Sequence, residues 1–150
     1  MLAAINAWTF PAGLTPSEQL AAAAAARFDG IELTMATDAP LRFDTPLEEC
    51  ASLARQAEDL NLGIVSLATG EFWQTNYAAP DEPTRQRAAD FTLAMLDRAA
   101  ALQAEAILVV PAVVGMPDEP RPRVAYADAL QRTFDALRNL RHQAESRGVA

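Results

Sequence analysis

The sequence contains no lysine; its twelve basic residues are all arginine. Histidine occurs once, at His142, and cysteine once, at Cys50. One cysteine excludes an internal disulfide, and it sits in a helical pattern where a packing role is expected. One histidine, in the polar stretch RNLRHQAESRG, leaves no Ser/His or Cys/His pair from which to build a nucleophilic site. Glycine is scarce as well, and neither GxGxxG nor a Walker motif is present, so phosphate cradling by a glycine-rich loop is not expected. No apolar run reaches membrane-spanning length. The start, MLAAINAWTFPAGL, lacks the basic region and long apolar segment of a signal peptide. These absences predict a cytoplasmic protein with no membrane partner.

What is present points to a folded domain. Just over half of the 150 residues are hydrophobic, enough for one core. The formal charge is −8, with the arginines scattered, so nucleic acid is not an expected partner.

Strand and helix signals alternate along the chain. An apolar run at 2–7 is strand-length. Thr15-Pro16-Ser17-Glu18 then reads as a capping box with proline in the first helical position, followed by the alanine run 21–26, with Gly30 expected as a left-handed cap. The strand 31–35 follows. Thr45-Pro46-Leu47-Glu48 repeats the box and opens a helix to about Asn61 that stops at Gly63. The strand 64–68, a helix over 84–103, the strand 106–111 and a helix over 125–147 ending at Gly148 complete the pattern. Val149-Ala150 reads as the first step of a fifth strand. Crossovers of this length permit only parallel pairing, so the expected fold class is α/β with parallel βα units.

Either a curved part of a (βα)8 barrel or an open doubly wound sheet would satisfy this pattern. Strand parity favours the barrel. Even positions carry polar groups (Asn6, Glu32, Thr34, Ser66), and odd positions carry Ile5, Ile31, Leu33, Val65 and Leu67. One polar and one apolar face suit a lumen and a helix-covered exterior.

FDGIELTM (28–35), LNLGIVSLATGEFWQTNYAAPDEPTRQRA (60–88) and LQAEAILVVPAVVG (102–115) resemble the xylose isomerase-like TIM barrels, within them the sugar phosphate isomerases and epimerases. The resemblance spans nearly the whole chain. It implies that residues 1–150 are the N-terminal half of a barrel that needs about 250 residues, as a fragment or as a half-barrel completed by a partner. It also implies a divalent metal (manganese, magnesium or zinc) for the complete barrel, with ligands on strands five to eight, so that none is expected on this chain. The apurinic endonucleases of the superfamily hold zinc through histidines on early strands; no histidine precedes residue 142, so that branch is excluded.

The barrel's C-terminal rim is where a sugar would meet these four units. Asn6 and Trp8 end the first strand, where an amide and an indole can bond and stack on a sugar ring. Glu32 lies within an apolar strand and must find a donor. Ser66 and Thr69 close the third strand, with Gly70 allowing a close turn. Phe72 and Trp73 are expected as an aromatic wall of a polar pocket. The loop 112–123 has the length of a lid, with Asp118 and Glu119 expected in solvent. The expected function is sugar or sugar-phosphate isomerisation or epimerisation, with the catalytic groups elsewhere in the barrel. The alternatives are a non-catalytic half-barrel that self-associates or binds a sugar, and a related inosose dehydratase or hydroxypyruvate isomerase.

Overall fold

A computed structural model describes residues 1–116, 119 and 123–150. Four strands, β1 (Ala4–Asn6), β2 (Gly30–Thr34), β3 (Gly63–Ala68) and β4 (Ala106–Ile107), alternate with four helices, α1 (Pro16–Ala25), α2 (Leu47–Asp59), α3 (Glu82–Ala101) and α4 (Tyr126–Glu145). All neighbouring strands are parallel and lie in the order β1-β2-β3-β4. The order follows the chain without reversal. A doubly wound sheet reverses at its switch point, so this order is that of a barrel wall.

Val149-Ala150, expected as the first step of a fifth strand, is not assigned to a strand, but Ala150 does meet the sheet. Ala150 N–H donates to Glu105 O and Ile107 N–H donates to Ala150 O, both at 2.9 Å, so residue 150 already pairs along the free edge of β4. β4 itself is shorter than the expected 106–111, although Leu108 N–H still bonds Leu67 O. β1 is also shorter than 2–7. Asn6 ends it by turning its side-chain oxygen onto Trp8 N–H at 2.7 Å, which caps a short 3-10 turn over Ala7–Thr9.

The helices end alike. In each, one backbone N–H reaches back five residues and the preceding N–H three, as in Phe28 to Ala23 and Arg27 to Ala24, or Ala104 to Ala99 and Gln103 to Ala100. This Schellman closure needs one residue in the left-handed region. Gly148 fills it after α4, at φ 66°, but Arg27, Asn61 and Gln103 fill it after the first three helices. Gly30 and Gly63 are therefore not caps but the first residues of β2 and β3, paired with each other. A Cβ on Gly30 would stand 2.6 Å from Val65 Cγ1 and 3.1 Å from Gly63 O, so glycine is required there by close approach.

Val65 occupies that space because β3 is bulged. Ile31 pairs with Ile64 but Glu32 pairs with Ser66, leaving Val65 as an extra residue. It is thus Ile64, not Val65, that joins Ile31, Leu33 and Leu67 in the core under the helices, with Leu20, Cys50, Met95 and Leu96. Cys50 is fully buried, and burial pushes its thiol above its ordinary range. Thr15 and Glu18 form the expected box, and the Thr15 bonds hold the Glu18 carboxyl below the usual carboxylate range. The second box does not form. Thr45 is buried, its hydroxyl accepts from Arg42 N–H at 2.7 Å within the preceding loop, and α2 starts on Pro46 with no side-chain cap.

His142 is exposed on α4, next to Glu145. Glu119 is ion-paired with Arg123 at 2.7 Å rather than free in solvent; Asp118 and most of the centre of the expected lid lie outside the described residues. Among the described residues no helix is long and apolar enough to cross a membrane.

Candidate functional site at the strand ends

Strand register sets Asn6, Glu32, Ser66 and Ala106 in one row across the sheet. The row is hydrogen-bonded. The Asn6 amide donates to Glu32 Oε1, and the Ser66 hydroxyl donates to Glu32 Oε2 at 2.7 Å. This is the partner set that a carboxylate inside an apolar strand needs. It is made entirely by neighbouring strands of this chain, with no lysine or arginine involved. Each carboxylate oxygen keeps further acceptor capacity.

Beyond this row the strand ends carry a cleft of about 420 Å³ lined by Trp8, Thr34, Met35, Ala36, Ala39, Gly70 and Glu71. Trp8 is 58% exposed, leaving its indole face open. Glu71 was not singled out by the sequence, although it stands in SLATGEFWQTNY, directly after the third strand. Its Oε1 accepts from both Thr37 N–H at 3.0 Å and the Thr37 hydroxyl at 2.9 Å, tying the loop after β3 to the loop after β2. Its own N–H donates to Thr69 Oγ1 at 3.2 Å.

That bond relocates Thr69, which is buried and shapes the turn rather than facing the cleft. The aromatic wall is also corrected. Phe72 is fully buried, its ring centroid 6.3 Å from that of Tyr77, and both belong to the core. Tyr77 hydroxyl bonds Thr92 Oγ1 and Ala88 O within α3, and burial pushes its pKa up to about 12. Trp73 is half exposed on the 3-10 turn Glu71–Trp73 and does not line the cleft. Apolar periodicity fails in this segment because a 3-10 turn sends neighbouring side chains in quite different directions. Gly70 has φ −84° and open space around a would-be Cβ, so no close turn requires it.

Among the described residues no group of three or more His, Cys, Asp or Glu side chains could hold a metal ion. Glu32 is the one carboxylate of the row, and Asn6 and Ser66 turn N–H and O–H donors toward it rather than lone pairs toward a shared cation. No chemical step is therefore routed through a metal on these residues. At the strand ends the exposed Trp8 and the tethered Glu71 carboxylate share one cleft.

Comparison with known proteins bears on the fold. A search of curated proteins finds no significant match. Among solved structures, D-psicose 3-epimerase determined with D-fructose superposes with a TM-score of 0.80 at 18% identity, covering 99% of this chain and 50% of the other. L-ribulose 3-epimerase gives 0.77 at 23%, covering 100% and 48%. The 3-keto-D-glucoside 4-epimerase of E. coli gives 0.69 at 16%, covering 100% and 54%. At these identities the likeness is one of fold, and the chain spans about half the length of each of these structures. A family model matches residues 20–150. The chain belongs to the xylose isomerase-like TIM barrel family.

Proposed function

We propose that this chain supplies one side of the active-site mouth of a sugar isomerase or epimerase. In this reading the groups that move a proton next to the sugar carbonyl, and the metal that steadies the resulting charge, stand on barrel units other than the four described here. The observation that carries the reading is the cleft at the strand ends, lined by Trp8 and Glu71, with the bonded Asn6–Glu32–Ser66 row just before it on the same strands. The family and the epimerase folds that superpose on it support the same reading.

The chain's own residues would bind and orient. Trp8 would stack on a ring face, and Asn6, Glu32 and Ser66 would form a fixed polar floor. Completion of the barrel would cover two surfaces: the edge of β4 beyond Ala150, and the exposed apolar row Tyr126, Leu130, Phe134 and Leu137 on α4. A second copy of the chain could cover the same row, which keeps the self-associating half-barrel as the second reading.

The test is an assay of ketose epimerisation by the purified chain with manganese added. No turnover above the uncatalysed rate is expected. Sustained turnover by this chain alone would show that its four units already hold the catalytic groups.

A further inference from the structure

Glu71 has one carboxylate oxygen committed and one uncommitted. Oε1 takes both Thr37 donors, while Oε2 has no hydrogen-bond partner among the described residues. The backbone that carries it is fixed as well: Glu71 N–H is bonded to Thr69, and Glu71 C=O accepts Thr75 N–H at 2.9 Å. A group held this way has lost its rotamer freedom before any ligand arrives, so a ligand hydroxyl bonding to it meets little ordering cost. It shares its cleft with the open indole of Trp8.

The charge around the cleft restricts the ligand further. Its lining holds one carboxylate and no cation. An adjoining cleft of about 650 Å³, with Thr37, Arg42 and Arg87 in its lining, has Glu71 as a shared wall, and Arg42 there is paired with Asp44 at 2.9 Å. A phosphate in the mouth would face Glu71 with no counter-charge in the lining.

Building on the sugar-binding reading of the mouth, we propose that Glu71 is a specificity-determining acceptor for a substrate hydroxyl. This side of the mouth then takes the neutral, hydroxyl-bearing part of the sugar and discriminates against a phosphorylated one. Thr37 is its positioning residue.

The experiment is a saturation-transfer NMR titration of the full chain with D-fructose and with D-fructose 6-phosphate, repeated on Glu71→Gln and Thr37→Ala. Glutamine keeps the oxygen that Thr37 bonds, and the thermal midpoint checks that the fold is retained. The wild type is expected to bind fructose saturably and its phosphate more weakly. A hydrogen bond to a charged acceptor predicts about a tenfold or greater weakening of fructose binding in Glu71→Gln. Thr37→Ala keeps its backbone N–H and should weaken binding less, while leaving the preference against phosphate intact. Unchanged fructose affinity in Glu71→Gln overturns the role of Glu71 and leaves the sugar-binding reading standing. Tighter binding of the phosphate by the wild type overturns the charge selection. Failure of both sugars to saturate the wild type overturns the sugar-binding reading itself.

Discussion

Replacing Phe72 with alanine is expected to destabilise the chain by about 3–5 kcal/mol, while the same change at its neighbour Trp73 should cost under about 1 kcal/mol. The two aromatics are adjacent in sequence and opposite in environment. Phe72 is 0% exposed and packs toward Tyr77 in the main core, whereas Trp73 is 52% exposed. Deleting the buried ring removes its transfer free energy and leaves a cavity that rigid neighbours fill only in part. Tyr77 in particular is pinned by its bonds to Thr92 and Ala88. Against a total of about 5–15 kcal/mol for a domain of this kind, such a loss takes a large share. Urea denaturation followed by circular dichroism measures it. Equal effects at the two positions would mean that the segment after β3 is not seated as described.

Replacing Asn6 with leucine is expected to cost about 2–4 kcal/mol. Two interactions disappear together. The amide bond to the Glu32 carboxylate is charge-assisted, in the range of about 1.5–3 kcal/mol, and the cap on Trp8 N–H contributes about 1 kcal/mol. Among the described residues, Ser66 would then be the one hydrogen-bond partner left to a half-buried carboxylate. A double-mutant cycle with Glu32→Leu isolates the pair: a coupling of about 1–3 kcal/mol is expected, since the second change removes the group that the first leaves short of a donor. Additive costs would show that the row is a geometric coincidence of register rather than a bonded network.

Much of this fold is written in short-range chemistry. The Thr15–Glu18 box and the alternation of strand and helix follow from local patterns, and they appear where the residues place them. Parity also picked out Asn6, Glu32 and Ser66 as polar positions, but Glu32 meets Ser66 only because the bulge in β3 skips Val65. The features that were not legible depend on packing between segments. Val65 has the parity of a helix-facing residue until the bulge shifts it over Gly30, and a bulge is fixed by both strands at once. Arg27, Asn61 and Gln103 accept left-handed backbone conformations, which cost a side-chain-bearing residue about 1–2 kcal/mol, because the Schellman bonds and the strand that follows hold them there. A glycine would have been the local expectation at each. Thr45 resembles Thr15 in sequence but is drawn into the core, where Arg98 bonds its carbonyl at 3.1 Å.

The site was partly legible for the same reason. Asn6, Trp8, Glu32 and Ser66 end up around the strand ends because strand termini place them. Phe72, Thr69 and Trp73 depend on how a 3-10 turn rotates successive residues, and hydrophobicity alone gives no phase for that. Glu71 emerges only when two loops are brought together, since its partner Thr37 is 34 residues away in the chain.

The central claim is that the tips of parallel strands share one mouth that receives a sugar. Amide chemical-shift mapping of the chain during titration with D-fructose tests it most directly. Perturbations are expected at Trp8, Ala36, Gly70 and Glu71 and at the Trp8 indole N–H, with the opposite strand ends at Asp29, Leu62 and Glu105 unmoved. Saturable shifts confined to those opposite ends or to α4, with the mouth silent, would contradict it.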